Sequence, residues 1–131
     1  MALLRVSQAA TFLGVSDDTV RRWITAGRLT ARTDETGRAV VSGTELAELA
    51  RAEAVLPPQP ESYGSSARNR FVGLVTRVVV DGVMAQVDIQ AGPHRVVSLM
   101  SRESVEELGL EPGDVATASV KATQVVVEVP R

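Results

Sequence analysis

Two short polar stretches in the second half of this 131-residue chain carry most of its capacity for chemistry. "SSARN" occupies residues 65–69 and "KAT" residues 121–123, in a region otherwise made of Val, Leu and Ala. Hydroxyls, a guanidinium, an ammonium and free backbone N–H groups are all hydrogen-bond donors. Donors without matching carboxylates describe a receptor for an anion, because a semi-buried dianion requires both positive charge and several hydrogen bonds. Lys121 is the single lysine, the other thirteen basic residues being arginine. Composition leaves a second reading open. Arg68 can pair with one of the ten acids of this half, and Lys121 can point to solvent from a strand edge.

A different chemistry is available near the N-terminus. In "SDDTVRRWIT" the apolar Val20, Trp23 and Ile24 recur at helical spacing and turn inward, leaving Asp18, Arg21, Arg22 and Thr25 outward with Thr19 near the start. Such a helix can lie in a major groove, its arginines reaching guanine edges or phosphates. The following "GRLTARTDETGR" adds Arg28, Arg32 and Arg38 on a wing-like loop suited to phosphate or the minor groove. From spacing alone, a solvated amphipathic helix is an equal alternative.

The elements that position these residues fall into two groups. Ser7 is a candidate cap for a first helix that puts Val6, Ala10 and Leu13 on one face and stops at Gly14. Ser16 caps a second, with Asp17 and Asp18 in its first turn where the helix dipole favours anions, and Gly27 stops it. "RLTARTDETGRAVV" predicts two short extended pieces around a polar turn, and "SGTELAELARAEA" a third helix. Helix, tight turn and helix make a helix-turn-helix layout. Three prolines in "AVLPPQPESYGSS" then break both helix and strand, so the segment reads as a linker. Beyond it, "FVGLVTRVVVDGVMAQVDIQ" predicts two strands joined at Asp81-Gly82, and "HRVVSLM" a third. A short helix in "SRESVEELGL", capped by Ser101 or a neighbour and stopped by Gly109, precedes strands in "VATASVK" and "QVVVEV". The order β-β-β-α-β-β suits a small five-stranded barrel of the OB type. The expected class is α+β multidomain, with a winged helix-turn-helix at 1–52, a linker at 53–65 and the barrel at 66–131.

Charge and composition exclude several alternatives. The net charge of −2 argues weakly against nucleic acid, but it divides into +1 over residues 1–52 and −3 over the remainder. No cysteine is present, which excludes disulfides and thiolate metal sites and fits a cytoplasmic protein. No apolar run is long enough for a signal peptide or a membrane span. His94 is the lone histidine, placed in a loop, and Glu103, Glu106 and Glu107 share a short solvated helix, so no catalytic constellation is expected. A phosphate-cradling G-x-x-x-x-G-K-[ST] is absent, and the aromatic content of 3% is too low for stacking on single strands.

Two resemblances sharpen these readings. "LRVSQAATFLGVSDDTVRRWITAGRLTARTDETGR" resembles the winged-helix DNA-binding module of the MerR and excisionase group. That resemblance implies that Thr19, Arg21 and Arg22 face DNA while Arg28, Arg32 and Arg38 belong to the wing. Members often carry a His-Arg pair at the wing tip, whereas "TGRAVV" keeps only Arg38. "SARN", "S-x-E-S-V-x-x-L-G-L-x-x-G" and "V-K-A-T", in that order, resemble the molybdenum-binding Mop (molbindin) domain of the TOBE type. That resemblance implies a small barrel that pairs or forms larger rings and binds molybdate or tungstate, often between subunits. It assigns Ser66, the Ala67 backbone and Arg68 to one wall, and Lys121 with Ala122 and Thr123 to the other. Ser101, or in second place Ser98, adds a hydroxyl. Some members have Ser where this chain has Ala122, so one hydroxyl contact is lost, or passes to Thr123 or to a backbone N–H. A compact ammonium on a flexible stem suits an enclosed tetrahedral anion better than a planar guanidinium fork, which gives the single lysine a reason.

The expected protein is a molybdate- or tungstate-responsive transcriptional regulator of the cytoplasm, not an enzyme. It needs no organic cofactor, binds double-stranded DNA and forms at least a dimer through its C-terminal domain. The alternative is an intracellular molybdate storage or homeostasis protein whose N-terminal module serves assembly or protein contact.

Overall fold

A computed structural model describes residues 2–56 and 64–131. They divide into two compact units with the boundary after Leu56. Most of the expected linker, residues 57–63, lies outside the described residues.

The first unit opens with strand β1 (Leu3–Arg5), which passes directly into helix α1 (Val6–Leu13). The cap of α1 is Arg5 rather than Ser7, which lies within the first turn. Arginine has no acceptor with which to cap. The Gln8 Oε1 accepts from the Arg5 N–H at 3.0 Å, and the Ser7 carbonyl accepts from the Thr11 hydroxyl. Gly14, at φ 68°, ends α1 in the left-handed conformation that glycine adopts without strain. Helix α2 (Asp17–Thr25) begins as expected, the Ser16 hydroxyl accepting from the Thr19 N–H at 3.1 Å. A wing follows, with β2 (Ala31–Thr33) and β3 (Ala39–Ser42) joined by a turn that Asp34 organises. One Asp34 carboxylate oxygen accepts from the Thr36 N–H, the Thr36 hydroxyl and the Arg38 N–H. β1 adds a third strand that the sequence reading missed, giving the order β1-β3-β2. Helix α3 (Gly43–Glu53) closes the unit over a core of Val6, Ala9, Ala10, Val20, Leu29, Val41, Leu46 and Leu49.

The second unit is a curled antiparallel sheet in the order β6-β5-β4-β7. Its strands are β4 (Asn69–Asp81), β5 (Met84–Ala91), β6 (His94–Ser101) and β7 (Val115–Val120). The first hairpin turns at Gly82-Val83, one residue later than Asp81-Gly82, because Asp81 still pairs with Met84. Gly82 has φ 63° at the first turn position and Val83 has no positive φ, a type II′ arrangement matched to strand twist. Helix α4 (Arg102–Leu108) is capped by the Ser101 hydroxyl and ends at Gly109. Val75, Ala85, Val87, Ile89 and Val105 form the core.

The fifth strand expected in "QVVVEV" does not form. A 3-10 turn at Ala122–Gln124, closed by Gln124 N–H to the Lys121 carbonyl at 2.9 Å, turns the chain out of the ladder after β7. Val125, Val126, Val127 and Val129 are left 48–83% exposed. β6 and β7 are therefore free sheet edges, facing one cavity of about 280 Å³ lined in part by Val87, Ile89, Val96 and Ala118.

One charged group is buried in this sheet. Asp88, 4% exposed, lies on the face of β5 opposite Val87 and Ile89. It accepts from the Gln86 amide at 3.0 Å and from Arg95 through Nε at 3.0 Å and Nη2 at 2.8 Å. The Gln86 hydrogen bond first, and then Arg95, hold its carboxyl below the ordinary value of 3.8. A carboxylate stabilised in the fold adds stability above its unfolded value and loses it as pH falls through the lower folded value. Below about pH 4 the melting temperature of Asp88→Asn is accordingly expected to fall less steeply with pH than that of the wild type. Parallel slopes in a pH series of thermal melts would remove Asp88 from the acid response.

Candidate oxyanion site and DNA-facing surface

The long strand β4 brings the two polar stretches together. Its first residue, Asn69, pairs with Val120 at the end of β7. The Asn69 Nδ2 donates to the Val120 carbonyl at 3.1 Å, pinning the two chain ends side by side. Residues 65–68 therefore approach the same sheet end that Lys121–Thr123 leave, although 51 positions separate Asn69 from Val120. The Ser65 hydroxyl accepts from the Ala67 N–H at 3.1 Å and shapes the turn that carries Ser66 and Arg68. Lys121, Ala122 and Thr123 are exposed, and Lys121 precedes the 3-10 turn. Neither Arg68 nor Lys121 has an acidic partner within ion-pair distance among the described residues. The local arrangement is one guanidinium, one ammonium and several hydroxyls around a common sheet end.

The two candidate serines part company. Ser101 caps α4 and pairs with Met84, which pairs in turn with Asp81 at the far end of β4 from Asn69. Twelve strand residues at about 3.3 Å each separate those ends along β4. One chain thus does not bring Ser101 to Lys121. Ser98 points inward from β6 and lines the cavity that β7 also lines through Ser119 and Val120. Asn69 and Ser65 were missed as holders of this site. The signal was present, since the amide of "SARN" directly precedes the strand-forming stretch "RFVGLV", which needed a partner.

In the first unit, Thr19 and Arg22 belong to one hydrogen-bonded chain. Arg22 Nη2 donates to the Thr19 hydroxyl at 2.9 Å, and that hydroxyl lies 3.0 Å from the Ser16 hydroxyl. Arg21 is exposed and 3.7 Å from Asp18. Arg28 is ion-paired with Glu53 of α3, so its guanidinium is engaged away from the wing turn. Arg32 is exposed on β2 and Arg38 ends the wing turn. Arg5, absent from the sequence reading, shares with Arg21 and Arg38 a cavity of about 350 Å³.

Known proteins match each half separately. Residues 65–127 match the TOBE domain family, and residues 3–54 match a helix-turn-helix domain family. Molybdenum-pterin-binding protein 2 of Clostridium pasteurianum is 41% identical over 63 residues, covering 47% of this chain and 93% of the relative. The chain belongs to the TOBE-domain family. Molybdenum-pterin-binding protein 3 of the same organism is 40% identical over an equal span. Among solved structures, a molybdate-binding protein from Sporomusa ovata superposes with a TM-score of 0.50 at 34% identity, covering 51% of this chain and all of that one. The cytoplasmic molybdate-binding protein ModG, with molybdate bound, gives 0.50 at 38% identity, covering 52% of this chain and 49% of its own. The mixed α+β architecture stands. The TOBE domain seen here has four paired strands in one chain rather than five.

Among the described residues, no cluster of His, Cys, Asp and Glu could hold a metal cation. No helix among them is long and apolar enough to cross a membrane.

Proposed function

We propose that this protein is a molybdate- or tungstate-responsive transcriptional regulator of the cytoplasm. The TOBE domain takes the oxyanion, and the helix-turn-helix unit takes double-stranded DNA. The observation that carries the oxyanion half is the Asn69–Val120 junction, which gathers Ser66, Arg68, Lys121 and Thr123 at one sheet end without an acidic partner. A tetrahedral dianion there receives two cationic donors and several neutral ones, the combination a partly desolvated anion requires. The named ligands of the relatives support the same reading.

A second copy completes the site. Free edges on β6 and β7, an apolar cavity between them and an uncovered valine tail fit strand addition, with the tail of one copy filling the cavity of its partner. Such an exchange brings hydroxyls of the partner, the Ser98 or Ser101 position among them, within reach of Lys121. Anion binding across that interface biases the pairing of the two DNA-binding units and so changes affinity for a two-half-site operator.

The test is calorimetric titration of the full chain with molybdate, tungstate and sulfate, followed by a mobility shift on DNA upstream of its own coding region. Molybdate heat that sulfate fails to reproduce, with a shift that responds to molybdate, is the expected result. Binding of the anion without retardation of any duplex at low salt would leave the storage function instead. Removing residues 124–131 is expected to move the protein from a dimer or larger species to a monomer in sedimentation velocity. An unchanged sedimentation coefficient per mass would exclude the tail from assembly.

A further inference from the structure

The cavity shared by Arg5, Arg21 and Arg38 draws its arginines from three places: the end of β1, the middle of α2 and the last residue of the wing turn, just before β3. The register explains the convergence. Arg5 pairs with Val40, so Ala39 and Arg38 run beside the first turn of α1. Arg21 reaches the same space because it lies one turn beyond Asp17, which also lines it. Two acids temper the cluster from nearby. Asp18 is 3.7 Å from Arg21, and Asp34 feels the charge of Arg5. Three cations still face one lining carboxylate.

Arg5 is costly where it stands. The cap position favours a small side chain with an acceptor oxygen, which arginine lacks. It also places a cation at the positive end of α1, whose first turn contains no acid to offset it. A cation held against local preference, within a cavity lined by two others, calls for an anion to neutralise it.

We propose that Arg5, Arg21 and Arg38 clamp one backbone phosphate of duplex DNA, locking the rotation of α2 relative to the groove. This rests on the DNA-binding function proposed above. The clamp adds affinity and register but no sequence preference, because a phosphate carries no base identity. Arg22 and Thr19, joined to each other by a hydrogen bond, lie outside the clamp and are left for base edges.

The test is fluorescence anisotropy of the full chain on a labelled duplex across a salt series, with thermal melts alongside. Arg5→Thr supplies the missing cap and removes the cation. It is expected to raise the melting temperature by roughly 4 °C. The same variant should flatten the dependence of log affinity on log salt by about one unit. Arg38→Gln is expected to flatten it similarly with little change in melting. Arg51→Gln, on α3, should do neither. Wild-type binding with unchanged salt slopes in both Arg5→Thr and Arg38→Gln would overturn the clamp while leaving DNA binding intact. No binding of any duplex by the wild type would overturn both. If inorganic phosphate alone stabilises the wild type but not Arg5→Thr, and the duplex slopes are equal, the cavity belongs to a free anion and the clamp is wrong.

Discussion

Replacing Lys121 with alanine is expected to weaken molybdate binding roughly ten- to hundredfold. A hydrogen bond to a charged group contributes about 1.5–3 kcal/mol, and each 1.4 kcal/mol is about a factor of ten in Kd. The fold should not change, because Lys121 is exposed and follows the last ladder pair of β7. Melting temperature therefore separates loss of the ligand from loss of structure. Lys121→Arg is the sharper comparison. It keeps the charge but exchanges a compact ammonium for a planar fork, so partial recovery of affinity with poorer discrimination against sulfate is expected. Calorimetry on the three proteins decides the matter. Equal affinity in Lys121→Ala and wild type would place the anion elsewhere and return Lys121 to the role of a solvent-facing strand end.

The second large effect concerns Gly73, and here the target is the sheet itself. Gly73 pairs with Ala116 on β4, close to where the strand passes from its β7 partner to its β5 partner. A Cβ at this position would stand 2.3 Å from the Gln90 carbonyl oxygen and 2.8 Å from its carbon. Both are backbone atoms, so no side chain can rotate away. Relief requires β5 to move off β4, which would disturb the curl that sets Asn69 beside Val120. Overpacking of this kind costs about 1–3 kcal/mol and occasionally more. In a unit of this size that corresponds to a fall in melting temperature of roughly 4–24 °C. Gly64→Ala is the natural control, since nothing lies within 4 Å of its added carbon. Circular dichroism melts of both variants test the argument, and a Gly73→Ala protein melting within about 2 °C of wild type would refute it. Loss of molybdate affinity alongside the destabilisation would tie the curl to the site.

Much of the chain was legible from local chemistry. Ser16 and Ser101 cap helices because a short hydroxyl can accept from the backbone two or three residues on, and no distant partner is needed. Gly14 and Gly109 stop helices for a reason equally local. Runs rich in β-branched residues, set off by turn residues, announced β4, β5, β6 and β7. The two polar stretches offered the donor types of an anion receptor, but composition alone left solvent exposure or ion pairing open. What failed locally failed where two signals competed. Ser7 looked like a cap, but the apolar Val6 is buried and draws the helix start two residues earlier, leaving an arginine in the cap position.

The sequence by itself determined the two-part organisation, the helices with most of their ends, and the residue types that could serve an oxyanion and DNA. Its information is of short range, carried by side chains acting on backbone within a turn or along a strand. Only the tertiary structure decided which distant residues meet. Pairing of Asn69 with Val120 sets the two polar stretches of the proposed oxyanion site at one sheet end, and pairing of Arg5 with Val40 sets β1 beside the wing turn that carries Arg38. It also decided against the fifth strand. A valine-rich run has the propensity to be a strand, but strand propensity specifies no partner, and the turn at Ala122–Gln124 carries it away from the edge it would have joined.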